Sequence, residues 1–233
     1  MKKVLIMVIS SQLDPYGKMA DTSNETWDSI DVPGVDSVFY FGGPVKPNTS
    51  KRIYFDFKEG YNVMSLKTVE AFKWALANKD FDYIARVNSS TYVKKDSLSE
   101  YVQTLPENNV FNGLVVDVAE SPWIWGPFFL LSKDVVKAVI ENEHKIDHRV
   151  MDDVGLSKLI TGLGIAPSRG IGCSIDRSGY KWRAICYGTE SFEFADFSDM
   201  VKAKDHWGFR VKQDLDRNQD EYVMRQLFQK FNP

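Results

Sequence analysis

Two adjacent carboxylates at the start of a predicted helix are the side chains best suited to acid–base chemistry. Asp152 and Asp153 precede an apolar helical pattern formed by Leu156, Leu159, Ile160 and Leu163. The positive end of a helix dipole keeps a first-turn carboxylate ionised, and an ionised carboxylate can accept a proton from a reacting group. The alternative is structural, with Asp152 capping the helix and Asp153 lying in solvent.

Basic side chains cluster in the segment HWGFRVKQDLDR near the carboxyl-terminal end of the chain. The candidates for binding an anion are His206, Arg210, Lys212 and Arg217. Arg210 and Lys212 alternate along a strand-like stretch, so they are expected to point to the same side. The alternative is a solvated charged tail, because runs of charge usually lie on the surface.

Small polar residues follow the predicted strands. Asn88, Ser89 and Ser90 come directly after the apolar run of Ile84, Ala85 and Val87. In an open α/β sheet, ligands bind at the carboxyl ends of the strands. Ser10 and Ser11 follow the first strand, and Asp56 follows another, although strand ends often carry Ser or Asp for turn formation alone.

The elements that must position these residues alternate between strand and helix. An amphipathic helix carries Leu66, Val69, Phe72 and Leu76 on one face. Strands are predicted at Lys3 to Ser10, Ser37 to Phe41, Ile53 to Phe57, Tyr83 to Val87, Val110 to Val116 and Trp123 to Ser132. Such alternation favours a mainly parallel sheet with helices on both faces. From Pro167 the pattern weakens: the glycine-rich stretch to Gly179 predicts an irregular region, Tyr180 to Tyr187 a strand, and Arg217 to Phe231 a helix.

This order of elements resembles the inverting β-1,3-galactosyltransferases and the related fringe glycosyltransferases, which have the GT-A fold. Their pattern has an acidic-aromatic pair, Tyr-x-Asn-Leu-Thr-Leu-Lys-Thr, a helix with a Trp, and a strand ending in Lys-x-Asp-Asp-Asp-x-Phe-Val. The matching residues are Asp56 and Phe57, Tyr61 to Thr68, Trp74, and Arg86 to Val93. A second part of the pattern matches Gly126, the strand ending at Ser132, and Asp152, Asp153 and Val154. The resemblance spans residues 4 to 167.

The resemblance implies transfer of a sugar from a nucleotide-diphosphate sugar, with a UDP-sugar favoured, to a hydroxyl of a glycan acceptor with inversion. Asp153 matches the aspartate that acts as the base, and Asp152 stands where the family has Glu. The acidic metal motif is replaced by Asn88, Ser89 and Ser90, whose neutral oxygens are poor ligands for Mn²⁺ or Mg²⁺. Metal independence is therefore plausible, with the diphosphate neutralised by basic side chains such as His206, Arg210 and Lys212.

Further site residues follow from the same resemblance. The donor site is expected to include Arg86 and Lys67, although Lys67 could instead project into water. Ser10 and Ser11 are placed near the nucleotide base, and Asp56 near the base or ribose. Trp123 and Trp125 beside Gly126 could stack on a sugar of the acceptor, or belong to the core as aromatic residues usually do.

Composition limits the other classes of function. The chain has 233 residues, 43% of them hydrophobic, and a net charge of -3, which argues against a nucleic-acid surface. The apolar run in MKKVLIMVIS is too short for a signal peptide or a membrane span. Eukaryotic members of the family are usually anchored in the Golgi membrane, so we expect a cytoplasmic bacterial, viral or phage form. Cys173 and Cys186 are then expected to be free thiols.

The sequence thus predicts one α/β domain, a GT-A-type three-layer sandwich with a mixed, mainly parallel central sheet. Residues 1–167 form the family-like core, and residues 168–233 form a C-terminal extension closing the donor site. Two alternatives remain open. One is a degenerate GT-A module that binds nucleotide or carbohydrate without turnover, and the other is a nucleotide-sugar hydrolase or nucleotidyltransferase.

Overall fold

A seven-stranded mixed sheet forms the centre of the chain. The structure is a computed structural model that describes residues 1–116, 122–178, 181–213 and 216–232. The strands of this sheet, in spatial order, are β3 (Arg52–Tyr54), β2 (Val35–Phe41), β1 (Val4–Ile9), β4 (Tyr83–Asn88), β7 (Trp123–Ser132), β6 (Phe111–Val116) and β8 (Ser168–Arg169). Neighbouring strands are parallel except where β7 pairs with β4 and β6. The predicted mixed, mainly parallel sheet is confirmed.

Helices cover both faces of this sheet because its strands are apolar on both sides. On one face, Leu5 and Met7 of β1 share a core with three helices: α2 (Met64–Asn78), α4 (Lys133–Glu141) and α5 (Asp152–Gly162). On the other face, Val4, Ile6 and Val8 share a core with α1 (Tyr16–Glu25), α3 (Lys95–Thr104) and α6 (Gln219–Phe231). The three-layer arrangement follows from this alternation along β1.

A second sheet of five strands packs on the face that carries α1, α3 and α6. Its strands, in spatial order, are β11 (Phe192–Phe194), β10 (Lys181–Tyr187), β9 (Gly172–Ser178), β12 (Gly208–Arg210) and β5 (Thr91–Val93). β5 begins one residue after Ser90, so the polar turn at residues 88–90 joins the two sheets. The extension is therefore bound to the core through the pairing of β12 with β5.

Two expectations for the extension are wrong. The glycine-rich stretch after Pro167 forms the regular strand β9, because it pairs with β10 on one side and β12 on the other. Cys173 and Cys186 are joined in a disulfide rather than free, since they lie directly opposite each other on antiparallel β9 and β10. The predicted strand from Tyr180 is found at Lys181–Tyr187, and Tyr180 itself lies outside the described residues.

Short 3₁₀ helices complete the described structure at Trp27–Ser29, Tyr61–Val63, Glu143–Lys145 and Phe197–Ala203. Within the described ranges, every helix is too short or too polar to cross a bilayer.

Candidate functional site

A cleft of about 490 Å³ opens at the carboxyl ends of β1 and β4. Because β7 is antiparallel to β4, the first half of β7 lies at this edge of the sheet and contributes to the cleft. The cleft is lined by Ile9, Ser10, Ser11, Leu13, Asp14, Tyr16, Glu59, Gly60, Tyr61, Met64, Lys67, Arg86, Asn88, Ser89, Ser90, Trp125, Gly126, Pro127, Met151, Asp152, Asp153, Arg210, Lys212 and Arg217. Most of the residues singled out in the sequence are thus brought together here.

Asp153 presents its carboxylate to this cleft from the first turn of α5. Its Oδ2 accepts a hydrogen bond from the backbone N–H of Gly126 at 2.8 Å, and its Oδ1 accepts one from Val154 at 2.8 Å. Burial, together with the neighbouring charge of Asp152, raises the pKa of Asp153, while the charge of Arg86 acts in the opposite direction. A carboxylate with a raised pKa is a stronger base than an ordinary aspartate, which suits proton abstraction.

Asp152 is committed to a buried ion pair under the cleft. Its Oδ2 accepts hydrogen bonds from Arg86 Nη2 at 2.5 Å and from Thr68 Oγ1 at 3.1 Å. Arg86 also donates through Nη1 to the Asn88 side-chain oxygen at 2.7 Å and to the Gly126 carbonyl oxygen. Arg86 therefore joins the turn at residue 88, the strand at residue 126 and the start of α5 in one network.

Lys67 is buried, so the alternative that it projects into water is wrong. Its Nζ donates to the backbone carbonyl of Ser10 at 2.7 Å and lies 3.1 Å from Glu59 Oε2. Burial lowers the pKa of Lys67, an effect that the Glu59 charge opposes. Glu59 Oε1 also accepts a hydrogen bond from the backbone N–H of Gly42 at 2.9 Å. Lys67 thus reaches the cleft as one half of an ion pair.

The C-terminal extension supplies three basic residues to the cleft: Arg210, Lys212 and Arg217. The Arg210 guanidinium lies 4.7 Å from the centroid of the Trp125 ring, a cation–π arrangement. Arg217 lies 5.5 Å from the centroid of the Tyr16 ring, and its Nε donates to Asp220 at 2.7 Å. The predicted alignment of Arg210 and Lys212 on one side agrees with their shared place in the cleft lining.

The turn at residues 88–90 does not fit a divalent cation. The Asn88 oxygen already accepts a hydrogen bond from Arg86, a cation, and Ser89 and Ser90 offer only neutral hydroxyls. Mn²⁺ and Mg²⁺ sites in proteins use carboxylate oxygens, and a guanidinium beside the ligands repels the ion. Among the described residues, one group of three or more metal-ligating side chains is close enough to hold an ion. It consists of Cys173, Cys186 and His206, none of which lines the cleft.

Three predicted site residues lie elsewhere. Asp56 is exposed and does not line the cleft, because β3 ends at Tyr54 and the chain leaves the sheet before residue 56. Trp123 is also absent from the cleft lining, since it lies two residues before Trp125 at the start of β7. His206 is 1% exposed and contacts Thr189 through Nε2 at 3.2 Å, away from the cleft.

Sequence reasoning missed several residues that line the cleft. Glu59 and Asp14 lie in irregular segments, where acidic residues are usually solvated, so nothing in the pattern distinguishes them. Tyr61 and Met151 are large apolar residues that are 70% and 46% exposed at this site. Exposed apolar side chains around a cleft indicate a surface that a ligand covers, but their exposure is visible only in the structure.

Two solved structures resemble the chain over most or much of its length. The crystal structure of a glycosyltransferase involved in the glycosylation of the major capsid of PBCV-1 aligns with 95% of this chain and 99% of its own, at a TM-score of 0.54 and 11% identity. The mannosyltransferase from Pyrobaculum calidifontis, in complex with GDP-Man and Mn²⁺, aligns with 72% of this chain and 55% of its own, at a TM-score of 0.50 and 14% identity.

These similarities define the class of fold: it is the GT-A-like, Rossmann-type α/β fold seen in glycosyltransferases. No family model matches the chain, and a search of curated proteins finds no match. At 11% and 14% identity the likeness concerns the fold, so the function must be argued from the cleft.

Proposed function

We propose that this protein is an inverting glycosyltransferase that moves a sugar from a nucleotide-diphosphate sugar to a hydroxyl of a glycan acceptor. The observation that carries the proposal is Asp153, a buried carboxylate of raised pKa that faces the cleft of a glycosyltransferase-like fold. An inverting transfer needs one base, which takes the acceptor proton as the hydroxyl oxygen attacks the anomeric carbon. Asp153 fills that role in our proposal.

Asp152 has a different role, although it is adjacent in sequence. Its carboxylate is neutralised by the buried Arg86 guanidinium at 2.5 Å, so it is not available as a second base. The pair instead fixes the start of α5 relative to Gly126 and Asn88. Arg86 is thus a positioning residue under the donor site rather than a ligand of the donor phosphates.

The diphosphate is proposed to lie against Arg210, Lys212 and Arg217. Lys67 and Arg86 are each paired with a carboxylate that also lines the cleft, so their charges are balanced within it. The three residues from the extension add further positive charge to the cleft lining. Cations at this place stabilise the charge that develops on a departing nucleoside diphosphate. We therefore propose that transfer proceeds without a divalent cation.

The acceptor is proposed to lie near Trp125. The Trp125 ring is half-buried and lines the cleft, and Trp125 directly precedes Gly126, whose backbone N–H donates to Asp153. Sugar rings present C–H faces that pack on aromatic rings, which favours a glycan hydroxyl as the nucleophile at this end of the cleft. The identity of the nucleotide base follows from titration with UDP, GDP and dTDP, with UDP the first choice from the sequence resemblance.

Asp153→Asn tests the proposal. With the nucleotide-sugar found by titration and a panel of glycan acceptors, we expect kcat to fall by about 10²–10⁴-fold, because general-base catalysis is lost, while nucleotide affinity is retained. The matched control is Asp96→Asn, since Asp96 is also the second residue of its helix but is exposed to solvent. That variant should keep full activity.

The pH dependence of kcat/KM is a second test of the role proposed for the Asp153 carboxylate. Asp153 acts as a base only when deprotonated, so kcat/KM should fall as the pH drops through its pKa. Because that pKa is raised by burial and by Asp152, the loss should begin at a higher pH than an ordinary aspartate would give. Nucleotide binding without any transfer by the wild-type chain would favour a degenerate binding module, and sugar release without an acceptor would favour a hydrolase.

A further inference from the structure

His206 lies beside the two cysteines of the chain rather than in the cleft. The Sγ atoms of Cys173 and Cys186 and a ring nitrogen of His206 all lie within 4.8 Å of one another. The three residues come from β9, from β10 and from the segment before β12, and they are 0%, 7% and 1% exposed. A buried group of this composition is unusual unless its members bind each other or an ion.

One polar atom of this group forms no hydrogen bond within the part of the chain that the structure describes. His206 Nε2 is 3.2 Å from the Thr189 hydroxyl, whereas the buried Nδ1 has no such contact there. An unpaired buried nitrogen costs free energy unless something occupies its lone pair or takes its proton. A histidine that ligates a metal through one nitrogen commonly binds a protein group through the other, which is the arrangement Thr189 provides.

The ligand set suits zinc. Zinc prefers cysteine sulfur and histidine nitrogen at about 2.0–2.3 Å, which places ligand atoms roughly 3.5–4 Å apart in a tetrahedron. The His206 nitrogen lies within 4.8 Å of both sulfurs, and reduction of the disulfide frees the sulfurs to move apart to that spacing. Two thiolates also cancel the charge of Zn²⁺, so the loaded site is neutral and compatible with burial.

We propose that, when the disulfide is reduced to two thiols, Cys173, Cys186 and His206 bind a zinc ion. Zinc displaces one proton from each thiol, and the sulfurs ligate as thiolates. The disulfide and the zinc complex exclude each other, because a sulfur in a disulfide is not a thiolate ligand. Three protein ligands leave the fourth position of the tetrahedron for a water molecule.

The site would stabilise the part of the extension that carries the basic residues of the cleft. Cys173 is paired with Phe209 across β9 and β12, and Arg210 is the next residue. His206 precedes β12 by two positions. Zinc would therefore hold the short strand that presents Arg210, through the neighbouring strand β9 and through the segment before β12, while staying outside the cleft itself.

The test is a zinc titration of the full chain after reduction with a phosphine and removal of metals by a chelator. Competition with a chromophoric chelator should show one equivalent of bound zinc, and cobalt substitution should give a thiolate-to-metal absorption band. Cys173→Ser and Cys186→Ser should abolish the cobalt band. His206→Asn should weaken zinc affinity by at least about tenfold, equivalent to 1.4 kcal/mol.

Two further variants separate a specific site from other effects. His144→Asn changes an exposed histidine and should bind zinc as the wild type does. Thr189→Val keeps all three ligands and should weaken zinc affinity by about 10–100-fold, as loss of an outer partner does. Circular dichroism confirms that each variant is folded.

The proposal is overturned if the reduced wild type takes up no more zinc than Cys173→Ser, or if folded His206→Asn binds zinc with unchanged affinity. Sugar transfer is not measured, so this outcome is independent of the proposed function.

Discussion

At the scale of single residues, Gly126 and Asp153 leave no room between them. A Cβ atom at position 126 would lie 2.6 Å from Asp153 Oδ2 and 2.9 Å from its Cγ. The backbone N–H of Gly126 also donates to the same carboxylate oxygen. The glycine is therefore required by the close approach of the carboxylate that we propose as the base.

Gly126→Ala should displace Asp153 while leaving the chain folded. A misplacement of about 1 Å can lower the rate about 10²-fold, so we expect kcat to fall by that order. Nucleotide affinity should change little, since the basic residues of the extension are untouched. The control is Gly162→Ala at the end of α5, where an added Cβ meets nothing within 4 Å. Equal kcat for Gly126→Ala and wild type would contradict the role assigned to Asp153.

The sequence was sufficient to predict site residues that stand next to clear strands or helices. It was not sufficient to predict which of them are buried or which side chains they contact. Asp152, Asp153 and Asn88 were found because they stand at the ends of strongly patterned elements. The pairing of Asp152 with Arg86 was not visible, because an ion pair between positions 66 residues apart leaves no trace in local pattern. The prediction that His206 binds the diphosphate was based on its basic neighbours in sequence. Its ring instead lies beside Cys173 and Cys186, which are distant in sequence, so local pattern could not show this contact.

At the scale of elements, one buried aromatic ring lies where the two sheets pack against each other. Phe128 on β7 is fully buried and lies 5.0 Å, between ring centroids, from Trp207. A Cβ at Gly172 on β9 would lie 2.3 Å from this ring, and one at Gly208 on β12 would lie 2.8 Å from it. The second sheet can approach the first this closely only because both positions are glycine.

Gly172→Ala should destabilise the chain by about 1–3 kcal/mol, the usual effect of overpacking a core. Phe128→Leu removes the ring that the new methyl group meets, so the double variant should lose less stability than the two single variants together. Chemical denaturation of the four proteins measures this coupling. Strictly additive effects would mean that the ring and the glycine do not determine the spacing of the sheets.

Elements with a clear hydrophobic period were predicted well. β7 and α4 have the expected bounds, because a long apolar run and an amphipathic stretch are sufficient signals. α1 and α3 were not predicted: their mean hydropathy is low, and their buried positions depend on contact with the second sheet and α6. β9 was also missed, since partners at residues 181–187 and 208–210 convert a glycine-rich stretch into a strand.

At the scale of the whole molecule, a net charge of -3 conceals a local excess of positive charge at one wall of the cleft. Arg210, Lys212 and Arg217 come from the extension, whereas the carboxylates of the cleft come from earlier residues: Asp14, Glu59, Asp152 and Asp153. The overall composition argues against a general polyanion surface but is compatible with a site for a small diphosphate.

Nucleotide binding should therefore survive chelation and weaken with salt. Calorimetric titration of UDP, GDP and dTDP should give the same affinity for the preferred nucleotide with Mn²⁺ and with a chelator. That affinity should fall as ionic strength rises, because partly exposed charges are screened over about 10 Å at 0.1 M salt. Lys212→Met should weaken binding, whereas Lys137→Met, an exposed change on α4, should not. Binding that requires Mn²⁺ would contradict the metal-independent proposal.

The pairing of β12 with β5 has a consequence for biosynthesis. β5 lies at residues 91–93, but its only described neighbour in the second sheet lies at residues 208–210. α1, near the start of the chain, likewise contacts α6 through the hydrogen bond of Thr22 with Glu221 and the ion pair of Glu25 with Arg225. Contacts this distant in sequence form late and slowly. A ribosome-bound chain that has emerged only to α5 already contains Asp153, yet it lacks the strand that completes the cleft. Ligand binding should therefore appear only after β12 has emerged from the ribosome and paired with β5.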